Sequence, residues 1–204
     1  MPMLTSPKSD SEASNWVRRF VSLIPKNAGP VLDLACGGGR HTRLLLDHGY
    51  EVCAVDKEDI LLQPLAAIGA RTFQLDLEAE HQPGVEIWPF DRHHFAGVIV
   101  TNYLHRPLFP HLKTALSNNG VLIYETFAEG NAAFGRPRNP HFLLRSGELL
   151  QEFMSDIDVD QQNQVLAYEH GYVETPYPAM VQRICLRSTS RAATDQASYS
   201  LNRI

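Results

Sequence analysis

Cysteine is scarce in this sequence, and long apolar runs and a strongly basic balance are missing. The three cysteines (Cys36, Cys53 and Cys185) are odd in number and far apart, which argues against a disulfide framework and for a reducing compartment. No uncharged apolar run approaches the ~18 residues that a membrane-spanning helix needs. The polar start, residues 1–15, has no apolar signal-peptide core. These absences predict a cytoplasmic protein without a membrane span.

The charge is small overall but unevenly distributed. The chain of 204 residues is one domain's worth, and its net charge of −5 excludes a strongly basic nucleic-acid footprint. Residues 92–147 nevertheless contain six basic and two acidic side chains, whereas the rest of the chain contains twelve basic and twenty-one acidic ones. This basic segment becomes informative once its place in the fold is predicted.

Short apolar stretches alternate with helical patterns along the chain. The apolar stretches, which predict strands, are 31–35, 50–55, 71–75, 95–101 and 121–126. The helical patterns are 14–25, 41–48, 58–68, 108–116 (stopped by an Asn-Asn-Gly turn at 118–120) and 146–154. Two further strands, 165–172 and 179–186, follow each other without a helix between them.

This order of elements predicts an α/β fold with a single doubly wound, mostly parallel, Rossmann-like sheet. Strands that are apolar on both faces are typical of parallel sheets with helical crossovers. The last two strands should pair in antiparallel fashion at one edge. We expect a domain over residues 14–187, with flexible tails at 1–13 and 188–204, and a ligand outside the carboxyl ends of strands one to four.

The densest chemical signal is the run VLDLACGGGRHT at residues 31–42, in which an apolar strand enters a small-residue turn and then a helix. Glycines there allow a ligand to approach the backbone, and the helix start offers unpaired N–H groups. A phosphate, a carboxylate or a polar tail could bind at such a turn. Three consecutive glycines argue against a plain tight turn.

Two acidic residues, Asp56 and Asp76, stand at the ends of the second and third predicted strands. A carboxylate at the second strand end can accept both hydroxyls of a ribose. One at the third can accept from the exocyclic amine of a base. Either residue alone would be an ordinary surface aspartate, but together with the glycine turn they favour nucleoside binding.

These motifs resemble those of class I S-adenosylmethionine-dependent methyltransferases over residues 31–187. The family's loop reads acid-x-Gly-x-Gly-x-Gly, and here Ala35 replaces its first glycine. The resemblance implies S-adenosylmethionine as cofactor, with its methionine end at Asp33 and the loop, its ribose at Asp56, its adenine at Asp76 and its methyl group near Asn102. The full set of cofactor-binding residues that it implies is Asp33, Ala35, Cys36, Gly37, Gly39, His41, Asp56, Lys57, Asp76, Leu77 and Asn102.

A nicotinamide-dependent oxidoreductase is the main alternative. Its Gly-x-Gly-x-x-Gly fingerprint could start at Gly37, but the third position is Thr42, which is larger than the glycine or alanine required. Asp33 would also repel a pyrophosphate, whereas it would attract the ammonium and sulfonium of S-adenosylmethionine. The nucleotide-triphosphate motif Gly-x-x-x-x-Gly-Lys-Ser/Thr is absent.

A second block, TNYLHRPL at residues 101–108, follows the fourth strand, where a methyl acceptor would enter. It resembles a group of small bacterial methyltransferases often compared with the tellurite-resistance type, as do the runs YETF at 124–127 and FGRPRNP at 134–140. The catalytic candidates are His105 as a base, Tyr103 as an orienting group and Arg106 as a substrate contact. Alternatively, His105 only bonds backbone and Arg106 pairs with Glu125.

The basic segment lies on the predicted acceptor side, and Arg136 and Arg138 are its candidate substrate-binding residues. Arginine matches carboxylates and phosphates, so they suggest a small-molecule acceptor with an anionic group, unless the loop is merely solvated. A tRNA or protein acceptor and a non-catalytic S-adenosylmethionine binder stay open as alternatives. The adjacent His93 and His94 lack further ligands at metal-binding spacing, so no metal is expected.

Overall fold

A computed structural model describes residues 12–79, 87–155 and 161–190 and shows a seven-stranded sheet flanked by helices. The strands are β1 Val31–Leu34, β2 Val52–Asp56, β3 Arg71–Gln74, β4 Phe95–Thr101, β5 Leu116–Phe127, β6 Gln161–Val173 and β7 Ala179–Ser190. The α-helices are α1 Asn15–Phe20, α2 Arg40–Asp47, α3 Asp59–Ala67, α4 Phe109–Ala115 and α5 Glu148–Met154.

The strand order is β3-β2-β1-β4-β5-β7-β6. The first five strands are parallel, and β7 runs antiparallel to both β5 and β6. The doubly wound, Rossmann-like fold with its antiparallel carboxyl-terminal pair is therefore confirmed. Because the chain order reverses direction between β1 and β4, a crevice forms at the carboxyl ends of these strands, where ligands of such sheets bind.

The sheet separates two apolar cores. On one face, Leu32 and Leu34 of β1 pack with residues of α4 and α5. On the other face, Val31 packs with residues of α1, α2 and α3. Since strand side chains alternate between faces, Asp33 points to the same side as Val31 and α2. The alternation thus directs one carboxylate of an otherwise apolar strand towards the helix that follows the glycine turn.

The boundaries of the last elements differ from the sequence prediction. Strand β7 continues to Ser190, pairing with Gln161 of β6, and Ser188 and Thr189 are buried within it. The prediction of a flexible tail from residue 188 was wrong for residues 188–190. Hydrogen bonds of the sheet ladder satisfy the backbone of these small polar residues. The remainder of the predicted tails, 1–11 and 191–204, lies outside the described residues.

Strand β5 also begins earlier than predicted. The Asn-Asn-Gly sequence at 118–120 was expected to form a turn, but it lies inside β5, where Asn119 takes a φ of +64°. The pairing with β4 shifts register between Phe95 and Gly97, which accommodates the irregular start. Within the described part of the chain, no helix is long and apolar enough to span a membrane.

Candidate functional site

The glycine turn between β1 and α2 combines a close contact on one side with open space on the other. Gly39 has a φ of +75°, and a Cβ there would lie 2.2 Å from Cδ2 of Leu65 in α3. Gly37 has a φ of +53°, yet a Cβ on Gly37 or Gly38 would meet nothing within 4 Å. Gly39 therefore lets the turn pack on α3, whereas Gly37 and Gly38 leave backbone open to a ligand.

Asp56 connects the end of β2 to this turn. Its Oδ2 accepts a hydrogen bond from the Gly37 N–H at 2.8 Å, and its Oδ1 accepts one from the Glu58 N–H at 3.0 Å. The carboxylate is partly exposed, and the neighbouring Lys57 side chain is exposed. The structure thus brings together two parts of the predicted cofactor site, the glycine turn and the acid of the second strand.

Asp33 lies beneath the turn and is 2% exposed. Its Oδ2 accepts a hydrogen bond of 2.6 Å from the Thr42 hydroxyl of α2. Burial raises the pKa of Asp33 to about 6, although Thr42 and the positive charge of Arg40 oppose this shift. Near neutral pH the carboxyl group is mostly ionised, so Asp33 places a negative charge directly under the glycine turn.

His41 is a buried link between elements, with no surface facing the turn. Its Nε2 accepts a hydrogen bond from the Ser14 backbone N–H at 3.1 Å, so the ring proton resides on Nδ1, 3.4 Å from Oγ1 of Thr101. Burial, together with the charges of Arg40 and Arg18, lowers the pKa of His41 to about 3. Its predicted place among the cofactor-binding residues therefore has no direct contact to support it, since the ring is 2% exposed.

The end of β3 supplies the other predicted adenosine contacts. Asp76 is exposed, and its Oδ1 accepts a hydrogen bond from the Glu78 N–H at 3.0 Å, whereas the Leu77 side chain is buried. Tyr103, after β4, is hydrogen-bonded to the Glu78 side chain, and burial followed by that carboxylate raises its pKa. Tyr103 thus belongs to the edge formed by β2 and β3, and not to the acceptor side.

Cys36 and Ala35 form the first part of the turn. Ala35 has a φ of +52°, the conformation that the missing first glycine would adopt easily. Cys36 packs in the core on the α2 side, and burial followed by the charge of Asp33 raises its thiol pKa. Cys36 is thus a small apolar residue of the turn, with no nucleophilic character.

A cavity of about 670 Å³ adjoins this edge of the sheet. Arg40 and Asn102 line its side next to the glycine turn, and Asn102 holds a φ of +55° with its N–H bonded to the Glu125 carbonyl at 2.9 Å. The other walls come from the segment before α1, from β5 and from the β6–β7 turn. Their lining residues include Ser14, Glu125, Phe127, Val173, Glu174, Tyr177, Val181 and Arg183.

A half-buried polar cluster forms one wall of the cavity. The Ser14 hydroxyl donates to Oε1 of Glu125 at 2.7 Å and accepts from the Trp16 N–H at 3.0 Å, capping α1. Oε2 of Glu125 lies 3.2 Å from the Arg183 guanidinium, which also reaches Glu169 at 3.4 Å. Since the Ser14 N–H is bonded to His41, one serine connects the cavity wall to α2.

Arg106 is held by the protein itself. Its guanidinium donates to both carboxylate oxygens of Glu148, at 2.6 and 2.9 Å, and to the backbone carbonyls of His141 and Leu143. Burial alone would raise the pKa of Glu148, but Arg106 and Arg145 together lower it. The predicted alternative pairing of Arg106 with Glu125 was wrong, because Glu125 pairs with Arg183.

Comparisons with known proteins find a partial sequence match and a shared fold. A family model described as "Methyltransferase domain" matches residues 31–120. A structure of an S-adenosylmethionine-dependent methyltransferase from Mesorhizobium loti aligns with a TM-score of 0.60 at 16% identity, over 83% of this chain and 96% of that one. The chain therefore shares the fold of that methyltransferase, and its residues 31–120 are similar in sequence to methyltransferase domains.

Other solved structures share this fold at similarly low identity. TehB from Haemophilus influenzae aligns with a TM-score of 0.63 at 16% identity, over 88% of this chain and 63% of that one. A TehB-like methyltransferase from Corynebacterium glutamicum aligns with a TM-score of 0.55 at 17% identity, over 86% and 88%. No curated protein sequence matches the chain.

Two of the predicted substrate-binding residues lie outside the cavity. Arg136 and Arg138 are exposed on the loop after β5, and neither lines the cavity. The loop is fixed by the buried Asn131, whose amide donates to the Pro137 carbonyl and accepts from the Met180 N–H. His105 is half-buried and is also absent from the cavity lining. Among the residues described, no cluster of His, Cys, Asp and Glu could hold a metal ion.

Sequence reasoning missed most of the residues that line this cavity. Glu125 was considered as a partner of Arg106 and, with Phe127, as part of the run YETF, but neither was assigned to a site. Glu125 stands near the end of β5 as Asp56 stands at the end of β2, and that position was the available signal. Ser14 was predicted only as a helix cap, and no sequence signal connected Arg183 to the cavity.

Proposed function

We propose that this protein binds S-adenosylmethionine at the carboxyl ends of β1 to β4 and transfers its methyl group to a small molecule in the adjoining cavity. The observation that carries the proposal is that Arg40 and Asn102 line the cavity next to the glycine turn. A donor on the turn would thereby lie beside an acceptor in the cavity. The domain leaves little additional surface for gripping a macromolecule, which favours a small acceptor over tRNA or protein.

The residues at the turn fit this cofactor. The open space over Gly37 and Gly38 accommodates the methionine portion, and the Asp33 carboxylate beneath it suits an ammonium group. Asp56 is partly exposed with its carboxylate beside the turn, where a ribose would be held, and the exposed Asp76 would meet the adenine amine. A pyrophosphate at the turn would be repelled by the Asp33 carboxylate, which argues against a nicotinamide nucleotide.

When bound, S-adenosylmethionine supplies a methyl group on a sulfonium, which is already a good leaving group. The protein's own contribution is therefore mainly alignment of donor and acceptor. Asn102 lies at the boundary of the two sites, and its left-handed backbone turns the chain between them. His105 stays our candidate base for an acceptor that must lose a proton.

Asp56 and Tyr103 have separate roles in this proposal. Asp56 orients the ribose and fixes the turn through its hydrogen bond to Gly37. Tyr103 closes the adenosine side through Glu78, and Arg106 holds the loop that carries His105. We also propose a cytoplasmic location, since Cys36, Cys53 and Cys185 are all unpaired.

Calorimetric titration with S-adenosylhomocysteine, alongside NAD and NADP, tests the cofactor assignment. We expect binding of S-adenosylhomocysteine alone, weakened at least tenfold in Asp56→Ala and less in Asp56→Asn, which retains one acceptor oxygen. Binding of a nicotinamide nucleotide in its place would overturn the proposal. Transfer of label from methyl-labelled S-adenosylmethionine to a metabolite panel then separates an enzyme from a non-catalytic binder.

A further inference from the structure

One wall of the cavity contains a small apolar cluster with two aromatic rings. The rings of Phe127 and Tyr177 stack with centroids 6.5 Å apart and an interplanar angle of 22°. Val173, Ala179 and Val181 complete this small apolar cluster, together with the buried Leu143 behind it. Such a surface contacts a planar apolar body more favourably than a strongly hydrated one.

The charges around the cavity disfavour an anionic ligand. Among the described residues, its lining includes the carboxylates of Glu12, Glu125 and Glu174 and two guanidinium groups, those of Arg40 and Arg183. Arg183 is already engaged by Glu125 at 3.2 Å and by Glu169 at 3.4 Å. Its positive charge is therefore largely compensated before any ligand enters.

Arg40 is the remaining cation, and among the described residues it has no ion-pair partner. It lies at the cofactor end of the cavity, directly after Gly39, and its charge acts on the buried Asp33, whose pKa it lowers. The carboxylates of Glu125 and Glu174 line the same cavity as Phe127 and Tyr177. A ligand that packs on these rings therefore shares the cavity with carboxylates as well as with Arg40.

We infer, resting on the function proposed above, that the cavity selects a planar apolar acceptor that carries an amine or hydroxyl and no negative charge. Glu125 is the specificity-determining residue. Its carboxylate is held in place by Ser14 and Arg183, in a side chain that is 15% exposed, and it accepts a hydrogen bond from the acceptor's polar group. This replaces the anionic acceptor suggested by Arg136 and Arg138, which are exposed outside the cavity.

Three probes of equal size test the inference: 2-naphthylmethylamine, 2-naphthalenemethanol and 2-naphthoate. Each is titrated calorimetrically into the full chain, with and without saturating S-adenosylhomocysteine. We expect the amine and the alcohol to bind at least tenfold more tightly than the carboxylate. Tighter binding of 2-naphthoate, lost in Arg40→Gln, would overturn the inference.

Matched variants locate the selectivity. Glu125→Gln should reduce the preference over 2-naphthoate at least fivefold, whereas Glu129→Gln makes the same charge change on an exposed residue outside the cavity and should leave it unchanged. Val173→Trp should block all three probes by filling the space next to the aromatic wall, and it keeps the test valid if Glu125→Gln does not fold. An unchanged preference in Glu125→Gln, or full binding to Val173→Trp, would contradict the inference.

The same series separates this inference from the proposed function. Failure of S-adenosylhomocysteine to bind would contradict the methyl-transfer proposal, whatever the naphthyl probes do. A wrong order of probe affinities beside normal S-adenosylhomocysteine binding would contradict only the acceptor class. The titrations without the cofactor product show which of the two has failed.

Discussion

The two halves of the site are built over very different distances along the chain. On the cofactor side, Asp33 is bonded to Thr42, 9 residues away, and Asp56 to Gly37, 19 residues away. On the acceptor side, Ser14 is bonded to Glu125, 111 residues away. The cofactor half is thus a set of local motifs at strand ends, whereas the acceptor half exists only after the chain has folded.

Gly39→Ala should have the largest effect on stability, and it changes a residue of the cofactor half. The substitution places a Cβ 2.2 Å from the buried Leu65 and imposes a positive φ on alanine. We expect a loss of about 2–4 kcal/mol in the free energy of unfolding, from left-handed strain and overpacking together. Urea denaturation measures this loss, and calorimetry should show that S-adenosylhomocysteine binding falls with it.

Gly38→Ala is the matched control for that variant. Its Cβ would meet nothing within 4 Å in the ligand-free protein, so the fold should be nearly unaffected. Only the affinity for S-adenosylhomocysteine should fall. Equal destabilisation by both substitutions would contradict the division of roles within the glycine turn.

Asp33→Asn sharpens the comparison by separating stability from cofactor binding. Because the pKa of Asp33 is raised to about 6, the folded state holds this proton more tightly than the unfolded state does. That contribution is present below the ordinary pKa of 3.8 and is lost as the pH rises through about 6. Asp33→Asn should therefore be more stable than the wild type at pH 7, by about 2–3 kcal/mol at ~1.4 kcal/mol per pKa unit.

Urea denaturation of Asp33→Asn and wild type at pH 4 and pH 7 makes this measurement. The advantage of the variant should disappear at pH 4, while its S-adenosylhomocysteine affinity at pH 7 should be at least tenfold lower. A variant that is less stable than the wild type at pH 7 would show that the ionised carboxylate stabilises the fold, which contradicts the prediction.

Arg106→Ala tests whether Arg106 fixes the loop after β4 or instead contacts the substrate. Removing the guanidinium leaves the buried Glu148 carboxylate with only its Arg145 contacts, so we expect a loss of about 2 kcal/mol in the free energy of unfolding. Since the pKa of Glu148 is lowered in the folded state, the stabilisation is present above its ordinary value of 4.5 and is lost at lower pH. Urea denaturation at pH 7 and pH 3 measures both the loss of stability and its dependence on pH.

Arg138→Ala provides the comparison for the Arg106 variant. Arg138 is exposed and lies outside the cavity, so its removal should change the free energy of unfolding by less than about 0.5 kcal/mol. If Arg106→Ala were equally harmless to stability yet abolished methyl transfer, Arg106 would be a substrate contact after all.

Ser14→Ala has the smallest expected effect and cuts the link between the two halves. It removes the cap of α1 and one hydrogen bond to Glu125, at a cost of about 1–2 kcal/mol. Hydrogen exchange should show faster opening of the segment before α1. Ser14→Thr keeps the hydroxyl and should behave like the wild type, and faster exchange there too would assign the effect to packing and not to the hydroxyl.

The strands and the glycine turn of the proposed cofactor half are predictable from the sequence because their signals are local. Alternating apolar stretches indicate the parallel strands, and the turn of three glycines needs only its neighbours to be recognised. Asp33 and Asp56 follow from the rule that strand ends meet at one edge of a sheet. His41 could not be assigned in this way, since its burial depends on Ser14 and Thr101 arriving from other elements.

The acceptor half escapes prediction for the same physical reason. The antiparallel β7 inserts between β5 and β6 and places Arg183 beside Glu125, a contact that the order of residues does not reveal. The cluster of basic residues led instead to the prediction that Arg136 and Arg138 bind the substrate. A charge cluster in the sequence does not show which way its loop faces. Asn131 fixes that loop through a hydrogen bond from the Met180 N–H, which is also a long-range contact.

Hydrogen exchange with and without S-adenosylhomocysteine tests the central claim that the cofactor occupies the carboxyl ends of β1 to β4 and leaves the cavity free. The account predicts that ligand binding slows exchange at residues 35–40, 56–58, 76–78 and 101–103. The β6–β7 turn at 173–179 should exchange at its ligand-free rate. Protection confined to that turn, with no change at the glycine turn, would contradict the account.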